Sequence, residues 1–322
     1  NADISMFDAK ASGKNRLRFY ENAMGESSSR RFALESRLKK ACDENEFVVF
    51  YQPQFDCTNG ELCGIEALVR WNHPELGLLS PKMFIPIAED NGMIISIGEQ
   101  ILYKVCKEIK EWLNEGLLRV PVFVNISARQ FMEGDLPNTL AHVLAQTELA
   151  PQHLGIEITE SYSMQDVGYT IDTLKELREM GIRISIDDFG TGYSSLSYLK
   201  RFPLDTLKID QSFVHGIPRD HENMAIVKAI VNLAHSLDLK VVAEGVETVD
   251  QIDFLRSERC DELQGFHFSK PVSSERVRNI LRRARKRNNA DASPTSVLEP
   301  RVVKDEHLWQ LPTRASTWVR QA

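Results

Sequence analysis

Seven places along the 322-residue chain put a cation-binding or proton-moving group at the end of a short β-branched run. They are Glu66, Asn125, Glu157, the adjacent pair Asp187 and Asp188, Lys208, Glu244 and Gln264. One such residue means little, because strand ends are polar by default. A ring of them is a charge problem. Carboxylates converging on one spot cannot all stay ionised unless something positive neutralises them. Lys208 supplies one charge, and two divalent cations would supply the rest. Asp, Glu and Asn offer hard oxygen donors, which suit Mg²⁺ or Mn²⁺ better than Zn²⁺ or copper. None of the eight histidines falls in an HxH or HExxH spacing, which argues against a zinc site. Asp187 next to Asp188 lets one carboxylate bridge two ions while its neighbour serves the second. Two metals about 4 Å apart are the usual device for in-line attack at phosphorus. The plainer reading of the Asp pair is a strand-to-loop turn, where Asp is common. The following Phe189-Gly190-Thr191-Gly192 fits an ordinary βα connection as well as a functional loop.

Such a ring needs a scaffold that points many strands at one place. Short β-branched runs are expected over 47–55, 62–71, 122–126, 155–159, 183–187, 206–209, 241–244 and 262–268. Between most of them lie segments of helical period, as at 101–113, 168–180 and 224–237. Eight strands alternating with helices point to an α/β fold, a TIM-like (β/α)₈ barrel with chemistry at the C-terminal ends of its strands. An open doubly wound sheet is the alternative, but no glycine-rich dinucleotide or Walker loop supports it. Cys57-Thr58-Asn59-Gly60 joins the first two runs, and Asn-Gly is a strong hairpin signal. One strand near the start of the barrel should therefore be antiparallel.

Composition sets outer bounds. An apolar fraction of 42% with 26% charged residues is that of an ordinary globular protein. A net charge of −7 argues against a general DNA or RNA binder, so a phosphate-bearing ligand would need local positive charge. Five scattered cysteines (Cys42, Cys57, Cys63, Cys106 and Cys260) contain no CxxC pair and fit free packing thiols in a reducing, cytoplasmic compartment. No stretch approaches the ~20 apolar residues of a membrane helix, so no membrane contact by this segment is expected. Helical spacing over 30–45 predicts a helix leading into the barrel. The basic run 282–287 reads as the solvated end of the last helix. Beyond it the sequence turns to Pro, Ser, Thr, Asn and Asp, and reads as a partly disordered tail over 288–322.

These residues resemble the EAL domain family. The blocks are Tyr51-Gln52-Pro53, Glu66-Ala67-Leu68-Val69-Arg70-Trp71, Val124-Asn125-Ile126-Ser127, Glu157-Ile158-Thr159-Glu160, Asp187-Asp188-Phe189-Gly190-Thr191-Gly192, Leu207-Lys208-Ile209-Asp210, Ala243-Glu244-Gly245-Val246-Glu247 and Gln264-Gly265-Phe266. The resemblance implies a barrel over 26–287 that hydrolyses cyclic di-GMP to linear pGpG with two Mg²⁺ or Mn²⁺ ions. It implies Glu66, Asn125, Glu157 and Asp187 as ligands of the first ion, and Asp187 with Asp188 for the second. Lys208 and Glu244 would hold or deprotonate the attacking water, and Gln264 would complete the outer site. Arg70 would grip a phosphate oxygen, Gln52 and Leu68 would line the groove, Glu247 would sit near a guanine, and Glu160 would brace the 188–195 loop. No ligand position departs from the family pattern. A catalytically weak cyclic di-GMP receptor is the alternative, and its expected mark, a broken ligand set, is missing. The family also implies a homodimer. Residues 1–25, with Ala2-Asp3-Ile4-Ser5-Met6-Phe7 and Gly13-Lys14-Asn15-Arg16, look like the end of a GGDEF domain and its linker.

Overall fold

The structure is a computed structural model and describes residues 22–160, 166–192 and 196–290. The expected GGDEF remnant and the C-terminal tail lie outside the described residues, except where the first and last helices reach into them. Helix α1 (Asn22–Asp43) leads to β1 (Phe47–Asp56), β2 (Leu62–His73) and the short β3 (Gly77–Leu79). Helices α2 (Pro81–Asp90) and α3 (Ile94–Asn114) precede β4 (Val122–Asn125), and α4 (Ala128–Glu133) and α5 (Leu136–Thr147) precede β5 (Leu154–Thr159). Next come α6 (Val167–Glu179), β6 (Arg183–Phe189), α7 (Leu196–Leu199), β7 (Thr206–Ile209), α8 (Gln211–His215) and α9 (His221–Ser236). The described chain closes with β8 (Lys240–Ala243), α10 (Val249–Ser257), β9 (Glu262–Leu263), β10 (Val272–Ser273) and α11 (Ser274–Ala290).

Eight of the strands close into a barrel in the order β1-β9-β8-β7-β6-β5-β4-β2, with β2 pairing back to β1. All neighbours run parallel except β1, which is antiparallel to both β2 and β9. The hairpin read from Asn59-Gly60 is present, with Gly60 at φ +70°, a conformation glycine adopts without strain. Because β1 is reversed, its first residues lie at the mouth, where the parallel strands end.

The boundaries differ from the sequence reading in three informative places. The run expected as a strand over 262–268 pairs only at Glu262 and Leu263, because the chain then turns sharply at Gly265. Glu66 does not end its strand. β2 pairs with β4 only through Ile65, Glu66 and Ala67, then runs on beside β1 to His73 as a ribbon overhanging the mouth. Finally, α11 stays helical to Ala290, past the expected boundary at 287.

Two packed regions result. Outside the barrel, helices bury one stripe each against the sheet. The buried face of α3 is Ile94, Ile97, Ile101, Leu102, Val105, Cys106, Ile109 and Trp112, the three-and-four spacing of an amphipathic helix. Trp112 meets Tyr51 of β1 edge-on, with ring centroids 4.9 Å apart. Inside the barrel, alternation along each strand stacks residues in layers. The layer beneath the mouth contains Phe123 beside Gly155, its register partner, with Gly64 opposite Gln54. A Cβ at Gly155 would stand 2.3 Å from the Phe123 ring, and one at Gly64 would stand 2.2 Å from the Gln54 amide oxygen. Glycine here is a volume requirement. Gly155→Ala should therefore overpack the floor of the site and cost about 1–3 kcal/mol in urea unfolding. An unchanged unfolding midpoint would mean that the Phe123 ring can move aside freely.

Candidate active site

At the mouth, the same alternation turns Gln52 of β1, Glu66 of β2, Asn125 of β4, Glu157 of β5, Asp187 of β6 and Lys208 of β7 inward. Glu244 and Gln264 follow directly after β8 and β9. Lys208 is 0% exposed and stands at the centre. Its ammonium lies 2.7 Å from Glu157, 3.3 Å from Asp187, 3.6 Å from Glu66 and 2.5 Å from Glu244. The ring read from the sequence is thus drawn around one cation.

Amides tie the rest of the layer together. Asn125 Nδ2 donates to Glu66 Oε1 at 2.6 Å, and Gln264 Nε2 donates to Glu66 Oε2. Gln264 Nε2 also reaches Gln52 Oε1 at 3.2 Å, and Gln264 Oε1 accepts from Gln54 Nε2 at 2.8 Å. Gln52 Nε2 in turn donates to the Ser269 carbonyl at 3.0 Å. Gln54 and Ser269 were missed in the sequence. Gln54 had a signal, since it lies two residues from Gln52 on the same strand face.

The aspartate pair splits into two environments. Asp187 ends up against Lys208, whereas Asp188 takes a left-handed backbone (φ 53°) that swings it toward the loop. That conformation is uncommon outside glycine, with Asp and Asn tolerating it better than most residues, and it persists where the surrounding structure holds it. Here the hold is visible: Asp188 N–H donates to Asp187 Oδ1 at 2.9 Å, and Thr191 Oγ1 donates to the Asp188 carbonyl at 2.8 Å. Buried Glu160 accepts from Gly190 N–H at 2.9 Å, so it fastens this loop. Asp187, Asp188 and Glu244 each present an oxygen within 4.8 Å of the others.

Charge follows from this geometry. Burial would lower the Lys208 pKa, but Asp187, Glu157, Glu244 and Glu66 outweigh it and hold the amine well above its ordinary value. Burial also raises Glu66, yet Lys208 and the Gln264 and Asn125 amides prevail and keep its carboxyl below normal. Glu157 goes the other way: burial, with repulsion from Glu66 and Asp187, lifts it well above normal. Burial and then Asp187 push Glu244 up to about 8. Burial, Asp187 and Asp210 push Asp188 up to about 6. Asp210 is a third residue the sequence reading left without a role. It caps α8 through Ser212 N–H at 2.9 Å and so stands as a third carboxylate beside the pair.

The overhanging ribbon supplies the wall. Counting by two from Gln52 and Glu66 puts Phe50, Leu68 and Arg70 on the inner face, with Phe50 opposite Leu68. Arg70 is half-buried, donates to the Val69 carbonyl at 2.7 Å and lies 5.8 Å from the centre of the Phe50 ring. Among the described residues it has no carboxylate partner within ion-pair distance. Opposite, Gly245 (φ 68°) turns the chain after Glu244 and leaves Glu247 exposed at the rim.

The EAL domain family model matches residues 35–271, which span the eight barrel strands and every site residue described in them and their loops. The bifunctional diguanylate cyclase/cyclic di-GMP phosphodiesterase MucR of Pseudomonas aeruginosa is 43% identical over 277 residues, 86% of this chain. The cyclic di-GMP phosphodiesterase NbdA of the same species is 40% identical over 294 residues, 91% of this chain. The chain spans only 40% and 37% of the lengths of these two relatives. A solved structure described as PaMucR phosphodiesterase in complex with c-di-GMP superposes with a TM-score of 0.74 at 44% identity, covering 76% of this chain and 99% of that one. The EAL enzyme Bd1971, in a form with cAMP and cyclic di-GMP bound, superposes with a TM-score of 0.74 at 38% identity, covering 79% of this chain and 70% of that one. With a reversed first strand, an inward ring of carboxylates around Lys208 and a family match across the whole barrel, the chain belongs to the EAL domain family.

Proposed function

We propose that this barrel hydrolyses cyclic di-GMP to linear pGpG, using two divalent ions of the Mg²⁺ or Mn²⁺ type. The observation that carries the reading is the imbalance at the mouth. Glu66, Glu157, Asp187 and Glu244 converge on a single ammonium, Lys208, and Asp188 stands beside Asp187 and Glu244. The donors are all oxygens, and burial together with neighbouring carboxylates pushes Asp188 up to about 6 and Glu244 up to about 8, the mark of a site short of positive charge. The residues present therefore fit hard cations. Glu66, Asn125, Glu157 and Asp187 would hold one ion, and Asp187 with Asp188 the other, with Gln264 completing the outer side. Bound there, the ions would make water more acidic and offset charge gathering on the phosphate.

The chain's own groups divide the remaining work. Glu244, 18% exposed and pushed up to about 8, is suited to take the proton of a water entering from the mouth. Lys208, cationic throughout, keeps Glu244, Glu157 and Asp187 in place and orients that water. Arg70, which has no carboxylate within ion-pair distance among the described residues, is positioned to engage a non-bridging phosphate oxygen. The new P–O bond forms as the bond from phosphorus to the ribose 3′ oxygen breaks. The 5′-linked phosphate stays on the linear product. Glu160 holds the 188–192 turn, and Leu68, Gln52 and Glu247 border the groove.

Incubating the pure chain with cyclic di-GMP should yield pGpG with Mg²⁺ or Mn²⁺ and little product with Ca²⁺, which prefers looser and longer coordination. Equal rates in Ca²⁺ and Mg²⁺, or tight binding with no turnover in any ion, would favour the receptor reading. Glu244→Gln and Lys208→Met should each lower turnover by ~10² or more while cyclic di-GMP still binds. Recovery of the Lys208→Met rate at high Mg²⁺ would reduce the lysine to a charge balancer.

Stability should report the same charge problem. Asp188 and Glu244 have folded-state pKa values raised above their unfolded ones, so their contribution is present below pH ~4 and is lost as pH rises through about 6 and about 8. The Tm of the metal-free chain should fall between pH 5 and 8.5, and Glu244→Gln should flatten that slope. Mn²⁺ should raise Tm more at pH 8.5 than at pH 5, because binding displaces protons. A Glu244→Gln slope identical to the unaltered chain's would refute this assignment.

A further inference from the structure

Gln52, Gln264 and Gln54 form a line of amides beside Glu66, and the polarity of that line is decided at its ends. A carboxamide has donors on one side and an acceptor on the other, and only its partners settle which way it faces. The Ser269 carbonyl can only accept, so Gln52 turns its Nε2 toward it at 3.0 Å. The Gln52 carbonyl oxygen then faces Gln264 Nε2 at 3.2 Å, and the Glu66 carboxylate, another acceptor, holds the same Nε2. Gln264 Oε1 is forced to the far side, where Gln54 Nε2 meets it at 2.8 Å. The last carbonyl in the line, Gln54 Oε1, is buried and makes no hydrogen bond to any described residue.

The line therefore ends in a mismatch, and the fold keeps it there. An unpaired buried carbonyl is destabilising, and an apolar side chain of the same size at 54 would avoid it. What the mismatch secures is the orientation of Gln264. The backbone of that residue cannot shift: its N–H donates to the Ala243 carbonyl at 2.9 Å, and its carbonyl accepts from Val246 N–H at 3.0 Å. Gly265 presses so closely on Val246 that a Cβ would stand 2.1 Å from the carbonyl oxygen. Only the side-chain amide is free to turn. Without a donor at 54, Gln264, 4% exposed, would leave its own carbonyl unpaired or rotate it toward Glu66 and Gln52, oxygen against oxygen.

Glu66 is the residue at stake. Asn125 Nδ2 holds its Oε1 at 2.6 Å and Gln264 Nε2 holds its Oε2, so both oxygens have fixed directions, each with a second lone pair to offer a cation. We propose that Gln54 is a positioning residue for the ion held by Glu66, Asn125, Glu157 and Asp187: by keeping the amino group of Gln264 on Glu66, it sets how tightly the chain binds a divalent cation. This inference rests on the two-ion reading above. Outer partners that orient a metal ligand carry about ten- to hundredfold in metal affinity.

The test measures Mn²⁺ binding to the metal-free full chain by calorimetry, without nucleotide, for the unaltered chain, Gln54→Met, Gln264→Met and the double variant. Methionine is close to glutamine in length and carries no donor. Gln54→Met should weaken Mn²⁺ binding at one site about tenfold. The double variant should bind no more weakly than Gln264→Met alone, because Gln54 acts through Gln264. In turnover assays the loss should appear as a higher Mg²⁺ requirement and not as a higher KM for cyclic di-GMP. Gln54→Asn, which keeps an amide but is one methylene too short, should match Gln54→Met, and it carries the test if the Met variant does not fold. Unchanged Mn²⁺ affinity in these variants overturns the assignment. So do losses that multiply in the double variant, the sign of two independent packing defects. If the unaltered chain binds Mn²⁺ but hydrolyses nothing, the hydrolytic reading fails while the Mn²⁺ comparison still decides the role of Gln54. If it binds no divalent ion, the two-ion reading fails and this one falls with it.

Discussion

The mouth of this barrel is organised by one buried ammonium. An isolated charge with no solvent exposure would be expelled or neutralised. Lys208 keeps its proton because four carboxylates touch it, and they keep their positions because it is there. The arrangement is reciprocal but not balanced. One positive charge holds Glu66 ionised, leaves Glu157 and Glu244 raised, and does not reach Asp188 strongly enough to keep it acidic. A site built for stability alone would not gather more acids than it has cations, since buried ionic clusters seldom stabilise a fold. The surplus of negative charge makes sense as affinity for something positive.

The barrel accommodates this cost by dividing its interior. The mouth layer is polar and tied by amide side chains. The layer below is closed by Phe123, with Gly155 and Gly64 leaving it room. Water can approach the acids from the open end but meets a ring beneath them. The apolar packing that holds the fold lies mostly outside the strands, where α3 and its fellows cover the sheet. The charged centre and the main core are therefore separate, so chemistry at one makes few demands on the other.

Legibility in the sequence followed the same division. The barrel could be read because its strands are short β-branched runs, most of them carrying a polar residue toward the mouth, and because Asn59-Gly60 announces its reversed strand. The ring of acids could be read because its members recur at strand ends. What escaped was set by tertiary geometry. Glu66 resembles a strand terminus yet sits mid-strand, because β2 continues beside β1 after leaving β4. The 262–268 run has strand composition but bends after two residues, since Gly265 must press against Val246. Asp210 stood in the sequence only as part of a family block, and only the fold sets it beside Asp188. Gln54 was hidden by the assumption that function stops at the rim.

The reversed first strand has a mechanical side as well. In a barrel whose strands all run parallel, the chain enters at the end remote from the catalytic groups. Here β1 starts at the mouth, so α1 delivers the chain to the working end. The joint is stiff: Glu46 accepts from Trp71 Nε1 at 2.9 Å, its carbonyl accepts from Asn72 N–H at 2.8 Å, and Arg37 of α1 pairs with its carboxylate. Trp71 is the residue after Arg70. A torque applied along α1 is thus delivered first to the ribbon that carries Arg70, with Glu46 as the pivot and the barrel wall as the fixed frame.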